Sequence, residues 1–461
     1  MDAYEELFLR AARDAARYRA SVADRPVSSG ADMAALRSAF GGPLPDAPTP
    51  PGEVVDRLVA AAEPGLTGTV GPRFFGFVIG GSLPAAAAAD MLATGWDQCA
   101  YNAVLSPAAA AAEEVAGTWA KELLGLPGTA SVGFVTGAQA ANTVGLAAGR
   151  HQVLAEAGWD VERHGLHGAP RVRIVASGER HATIDRSLRL LGFGTAAVET
   201  VGTDANGAID VEDLASVLAA GPSAPTLVCL QAGNVNTGAC DDFPAAIEIA
   251  RRHRAWIHVD GAFGLWAGAN PATAHLVRGV EAADSWGCDA HKWLNVPYDS
   301  GLVFCAKPDV HAAAVSYSAA YLVGSGGSAN WGLGDLTPES SRRARGFAVW
   351  AALQQLGRSG VAELVERGCH LARRMAEQLA VGGATIENDV VLNQVLVGFG
   401  DDTPLTDRLI EAVQSDGTCW LGGTLWHGKH LMRISFSNWT TTEDDVDRSA
   451  EAILRLARER L

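Results

Sequence analysis

Two residues in the middle of the chain have the types and the setting for amine chemistry. The apolar run Trp256-Ile257-His258-Val259-Asp260-Gly261-Ala262 carries a carboxylate at the end of a strand-like stretch, and Lys292 follows in Asp289-Ala290-His291-Lys292-Trp293. An acid at the end of a core strand needs a cation or a strong donor, because leaving it buried and unpaired costs roughly 3–5 kcal/mol. A single lysine among tryptophans and small residues is a candidate for a lowered pKa and a nucleophilic amine. Pyridoxal phosphate requires such a pair, a lysine for a Schiff base and a carboxylate for the pyridinium nitrogen. A structural salt bridge between Asp260 and Lys292 accounts for the same two residues. The pair alone leaves both readings open.

Further residues around this pair suit a small-molecule site. Gly133-Phe134-Val135-Thr136-Gly137-Ala138-Gln139-Ala140-Ala141-Asn142 reads as a strand end, a small-residue turn and a helix start. A helix start beginning at Ala138 and Gln139 holds an anion through its N–H groups without any lysine, and it equally serves as a tight packing turn. The P-loop pattern is absent. Gly192-Phe193-Gly194-Thr195-Ala196-Ala197 fits G-x-G-x-x-A formally, but it follows a helical pattern and enters a strand, the reverse of a dinucleotide site, so it reads as a helix C-cap. His181 follows the strand Val172 to Ala176, on the edge where parallel sheets carry ligands; it suits ring stacking or a helix N-terminus. Asn234, in Gln231-Ala232-Gly233-Asn234-Val235-Asn236-Thr237-Gly238, suits either a ligand or a turn. His427 and His430 have no third ligand type nearby, so no metal is assigned.

The elements that must position these residues follow from the hydrophobic pattern. The chain of 461 residues is long enough for two or three domains. Residues 1–90 read as an N-terminal arm or dimerisation segment, with a helix-like start and an extended proline-rich stretch from Gly42 to Pro51. Residues 91–345 alternate β-type runs (Val132–Thr136, Val172–Ala176, Ala197–Val201, Leu227–Gln231, Trp256–Asp260 and Leu302–Cys305) with helical patterns. That alternation predicts a large, mainly parallel α/β sheet covered on both faces. Residues 346–461 read as a small α+β domain, with a helix over Phe347–Leu379, strand-like runs Val390–Phe399 and His430–Ser437, and a closing helix from a Thr442/Asp445 capping box. A net charge of −16 argues against nucleic acid and anionic membranes as partners. Seven scattered cysteines, no apolar leader and no spanning run point to a cytoplasmic protein.

The run from Arg73 through Thr442 resembles the pyridoxal-phosphate-dependent amino-acid decarboxylases of the aromatic-amino-acid, tyrosine and glutamate type. The markers are Pro72-Arg73-Phe74-Phe75-Gly76-Phe77, Thr136-Gly137-Ala138-Gln139, His181, His258-Val259-Asp260-Gly261-Ala262, Asp289-Ala290-His291-Lys292-Trp293, and Met432-Arg433-Ile434-Ser435 with Asn438 and Thr441. The resemblance implies the aspartate-aminotransferase-like fold of pyridoxal-phosphate enzymes and a homodimer with sites at the subunit interface. It implies that Lys292 carries pyridoxal 5'-phosphate, Asp260 keeps the ring nitrogen protonated, His181 stacks on the ring, and Ala138 and Gln139 bind the phosphate, with Asn234, His291 and Ala262 alongside. Gln139 stands where relatives commonly have serine. Asp289 stands where they often have asparagine, and a second acid there is expected to face away.

By the same resemblance Arg433 holds the substrate carboxylate. Phe77, Val78, Ile79 and Tyr101 form an apolar pocket rim that favours an aromatic or large apolar amino acid over glutamate. Tyr321, ahead of the glycine-rich Val323-Gly324-Ser325-Gly326-Gly327-Ser328, falls where relatives carry a mobile-loop tyrosine that protonates the carbanion; a histidine such as His181 is the other donor. The implied reaction is decarboxylation of an L-amino acid to carbon dioxide and an amine. Oxidative decarboxylation–deamination to an aldehyde, another lyase or aminotransferase reaction, and a non-catalytic binding module are the alternatives. Tyrosine at 321, where aldehyde-forming relatives often have phenylalanine, favours the amine.

Overall fold

The computed structural model describes residues 3–317, 332–400 and 403–459. In chain order, α1 (Ala3–Ser21), α2 (Met33–Phe40) and α3 (Pro51–Ala62) precede α4 (Pro84–Trp96), α5 (Pro107–Leu124), β1 (Ser131–Val135) and α6 (Ala138–Glu156). Strands and helices then alternate: α7 (Val161–His164), β2 (Arg173–Ser177), α8 (Ala182–Leu190), β3 (Val198–Val201), α9 (Val211–Ala220), β4 (Thr226–Gln231), α10 (Phe243–Arg252) and β5 (Trp256–Asp260). β6 (Ser285–Asp289), β7 (Gly301–Cys305), α11 (Pro308–Val315) and α12 (Gly346–Val381) follow. The chain closes with β8 (Thr385–Ile386), β9 (Gln394–Gly398), α13 (Thr403–Asp416), β10 (Gly422–Trp426), β11 (Lys429–Ser435) and α14 (Glu443–Arg458). Prolines begin α3, α4, α5 and α11, where their missing N–H has no helical acceptor to lose. Carboxylates of Asp32, Asp210 and Asp242 cap α2, α9 and α10.

Two compact units result. One comprises Met1–Ile79, Arg374–Glu387 and Leu396–Leu461, the other Gly80–Arg373 and Asn388–Val395. The larger unit holds a seven-stranded sheet in the order β1-β7-β6-β5-β4-β2-β3. β3, β2, β4, β5 and β6 run parallel, whereas β7 is antiparallel to both β6 and β1. Every residue of β2, β4, β5, β6 and β7 is buried, the pattern of strands covered on both faces, while the edge strands β1 and β3 are partly exposed. α6 lies against β5, β6 and β7. It approaches so closely that a Cβ on Gly145 would fall 2.6 Å from the His258 ring. The mainly parallel sheet read from the sequence is present, with β6 added and β7 alone reversed.

The other unit carries a four-stranded sheet, β10-β11-β9-β8, and the helix α14. Thr442 and Asp445 form the expected reciprocal cap at the start of α14. Arg73, one of the family-like markers, works structurally here. Its buried guanidinium pairs with Asp445 at 2.9 Å and donates to the Thr418 and Ala23 carbonyls. Gly192 takes a φ of +85° directly after α8, and Phe193 N–H returns to the Leu188 carbonyl, so this glycine motif is a helix C-cap. Among the described residues no helix is long and apolar enough to cross a membrane.

Candidate active site

Chain reversals at the carboxyl ends of the parallel strands bring the candidate residues together in the larger unit. β5 ends at Asp260, β2 is followed by His181, and the turn after β6 carries Lys292. These three side chains line one pocket with Ala262, Gly233 and Val235. That is the edge on which open α/β sheets place ligands.

Asp260 is buried and hydrogen-bonded from two directions. Its Oδ1 accepts from the Ala262 N–H at 3.2 Å and its Oδ2 from the Thr183 hydroxyl at 3.3 Å. His181 caps α8, its Nδ1 accepting from the Thr183 N–H at 3.2 Å, which places the proton of a neutral ring on Nε2. The helix-capping and pocket-lining readings of His181 therefore hold together. Thr183 joins Asp260 to His181 and was not singled out in the sequence; a threonine in the first turn of a helix gives no local signal of such a link. Beneath Asp260, His258 sits fully buried between Asn142 Oδ1 (3.0 Å) and Ser285 Oγ (2.9 Å), and burial pushes its pKa down to about 4. It is a neutral support for the strand at neutral pH.

Lys292 forms its ion pair with Asp289, 3.1 Å from Oδ2, and not with Asp260. The structural salt bridge weighed for Asp260 and Lys292 is thus replaced by a different pair. Asp289 is 2% exposed, and its Oδ1 accepts from the Ala138 N–H at 2.6 Å. The expectation that Asp289 faces away is overturned: a carboxylate that caps a helix start is stabilised by the N–H and the helix dipole. His291 lies against the same carboxylate (3.4 Å), accepts from the Ser300 N–H through Nδ1 (3.1 Å), and has its pKa lowered by burial against the opposing pull of Asp289. Gly80 lets an extended segment lie on this turn, since a Cβ there would fall 1.9 Å from the Lys292 carbonyl oxygen. Gly81 N–H and Leu83 N–H then bond Asn295 in the same turn.

The remaining sequence candidates divide clearly. The Gln139 amide donates to Ser187 Oγ (2.9 Å) and the Thr183 carbonyl, toward α8, and its buried Oε1 has no partner among the described residues. Asn234 bonds the Glu179 carbonyl and receives the N–H groups of Asn236 and Thr237, so its amide closes the loop beside the pocket. The Tyr101 carbonyl accepts from Gly334 N–H, and its ring lies over that glycine. Phe77, Val78 and Arg433 belong to the smaller unit. Phe77 and Val78 both have positive φ (56° and 58°), rare for such side chains, and Phe77 stacks on Trp420 at 5.3 Å. Arg433 stands on β11 opposite Gly422, with its pKa lowered by burial. Tyr321 lies outside the described residues.

The donor set fits pyridoxal phosphate. A lysine amine, a hydrogen-bonded carboxylate and an imidazole share one pocket, which is the ring end of such a site. At the other end, the first intrahelical bond of α6 runs from Ala141 N–H to the Gly137 carbonyl, so the N–H groups of residues 138–140 have no acceptor within the helix. A Cβ on Gly137 would lie 2.9 Å from His291, and the buried Ser300 Oγ has no partner among the described residues. These are features of an anion cradle.

Comparison with known proteins agrees with this chemistry. Residues 42–396 match the model of the pyridoxal-dependent decarboxylase conserved domain. The chain is 25% identical to tryptophan decarboxylase 2 of Oryza sativa subsp. japonica, over 94% of this chain and 90% of that protein. It is 26% identical to phenylacetaldehyde synthase of Arabidopsis thaliana, over 95% of this chain and 92% of that protein. The fold matches the crystal structure of Oryza sativa TDC with PLP and tryptamine at a TM-score of 0.91 and 24% identity, covering 100% of this chain and 99% of that one.

Proposed function

This chain belongs to the pyridoxal-dependent decarboxylase family, and from that premise we propose that its substrate is an L-amino acid with an aromatic or large apolar side chain, released as an amine. It is a pyridoxal-phosphate-dependent amino-acid decarboxylase. The observation that carries the site assignment is the single pocket shared by Lys292, Asp260 and His181. Support for the substrate class comes from relatives named for tryptophan and aromatic amino acids and from the apolar Phe77, Val78 and Tyr101.

When bound, the cofactor supplies an aldehyde for amino groups and a ring that takes up the electron pair left as carbon dioxide departs. Lys292 is the amine that holds it, and Nζ must pass a proton on before it can act as a nucleophile. Asp260, fixed by Ala262 N–H and Thr183 Oγ1, keeps a proton at the ring nitrogen. His181, oriented by the Thr183 N–H, covers the ring face and presents Nε2–H to the pocket. Residues 138–140, Ser300 and His291 hold the phosphate end. Arg433 takes the substrate carboxylate. Tyr321 returns a proton to Cα. We further infer a homodimer, from the exposed apolar side chains of α1–α3, and a cytoplasmic location, from seven cysteines that are all free.

Aldehyde formation is the second reading, and the 26% identity to an aldehyde synthase favours it. A panel of amino acids incubated with holoenzyme, followed for carbon dioxide, amine, ammonia and peroxide, separates the two. Carbon dioxide with equimolar amine from tryptophan, tyrosine or phenylalanine is expected, and Tyr321→Phe should shift product toward aldehyde, ammonia and peroxide at the expense of amine, with dioxygen and water consumed. Turnover confined to acidic amino acids would overturn the substrate reading.

A further inference from the structure

Asp289 occupies the helix start that the phosphate reading gives to the cofactor. Its Oδ1 accepts from Ala138 N–H at 2.6 Å, its Oδ2 lies 3.1 Å from Lys292 Nζ, and the side chain is 2% exposed. The backbone cannot easily withdraw it. Asp289 ends β6 in register with Gly301 of β7, and its N–H donates to the Ala262 carbonyl at 2.9 Å. A phosphate brought to the same N–H meets a carboxylate in a buried setting, where like charges repel far more than in water.

We propose that Asp289 is a positioning residue at the phosphate end of the site: its carboxylate holds the α6 start and the Lys292 ammonium and competes with the cofactor's phosphate group for the Ala138 N–H. The competition makes cofactor retention weak and exchangeable. The inference rests on the proposed cofactor site at Lys292.

The test is a binding titration of the cofactor-free full chain, followed by absorbance of the lysine-bound aldehyde and by equilibrium dialysis. Wild type, Asp289→Asn and Asp289→Ser are each titrated with pyridoxal phosphate and with pyridoxal, which lacks the phosphate. Asn keeps an oxygen for the Ala138 N–H but removes the charge. Asp289→Asn is expected to lower the Kd for pyridoxal phosphate by about tenfold or more while changing that for pyridoxal by less than about threefold. Asp289→Ser, which tolerates a different fit, should move in the same direction, with thermal unfolding confirming that each variant is folded. An unchanged or raised Kd for pyridoxal phosphate in both variants overturns the proposal. Equal tightening for both ligands also overturns it, because the effect would then act on Lys292 and not on the phosphate. Failure of the underlying site looks different: wild type would bind no cofactor, or Lys292→Ala would keep the absorbance band.

Discussion

Asp260 and Asp289 end neighbouring strands and are both buried, yet their partners separate their chemistry. Asp260 is held by two neutral donors, Ala262 N–H and Thr183 Oγ1, and faces the pocket; Asp289 is neutralised by Lys292 and a helix start. A carboxylate held by neutral donors is left to face a ligand cation, which is the role that a protonated ring nitrogen needs. Asp260→Asn should therefore lower turnover by about a hundredfold or more while pyridoxal phosphate, still held by Lys292 and the helix start, stays bound. Steady-state kinetics on fully loaded variant decide it; near-wild-type turnover sinks the electron-sink role. The types of these residues were readable in the sequence because a lysine and an acid among apolar neighbours are conspicuous. Their pairing was not. Lys292 chooses Asp289 because both lie in one turn, three residues apart, whereas Asp260 was the conspicuous partner by position on its strand. Thr183 and the inward turn of Asp289 depend on contacts between elements distant in sequence, for which residue type gives no clue.

At the scale of elements, the strands that the sequence shows best are those with unbroken apolar runs. β5 coincides with its expected span, and β1, β2, β3, β4 and β7 shift by about a residue. β6 escaped because Ser285-Trp286-Gly287-Cys288-Asp289 carries only two apolar residues, too short a pattern beside the continuous apolar runs. It is a strand because β5 and β7 flank it and leave no other place for its backbone bonds. Its Gly287 has no room for a side chain, since a Cβ would lie 2.4 Å from Asn142 Oδ1 on α6. The same close packing governs the turn that presents the lysine. Gly80→Ala would drive a methyl into the Lys292 carbonyl, 1.9 Å from the ideal Cβ position, against backbone that has no rotamer to yield. We expect a loss of about 1–3 kcal/mol in stability together with weakened cofactor retention, read by thermal unfolding and by the absorbance of the bound cofactor. Gly158→Ala provides the comparison: its φ of +80° strains an alanine, but nothing lies within 4 Å of its Cβ, so stability alone should fall. Equal cofactor loss in both variants would remove the special status of the Gly80 contact.

The whole molecule raises the question of what covers its apolar surface. Phe8 on α1, Met33 and Phe40 on α2, and Leu58 on α3 are each more than half exposed. Isolated apolar residues on a surface are ordinary, but large ones recurring on three consecutive helices that pack on one another, α1 on α3 and α2 on α3, form an unpartnered patch. The proline-rich stretch between α2 and α3 keeps that region extended instead of folding it into the sheet. Its composition suggests an arm; which surface such an arm would cover is not legible, because a single chain contains only one side of an interface. A second copy of this chain is the partner that the dimer reading supplies. Two protomers each carrying −16 repel, so association must rest on apolar burial and should strengthen as salt screens the charge. The full chain is expected to sediment at twice its 47.9 kDa, with a dimer that persists on dilution better at 0.5 M than at about 0.05 M salt. Phe8→Glu combined with Leu58→Glu places two further acids on exposed positions, where folding of the protomer tolerates them. That variant should sediment as the 47.9 kDa monomer at micromolar concentration and, under the proposed homodimer with sites at the subunit interface, lose decarboxylase activity in proportion. A dimer of undiminished stability in the double variant would move the interface away from α1–α3, toward the exposed Met91, Leu92 and Trp96 of α4.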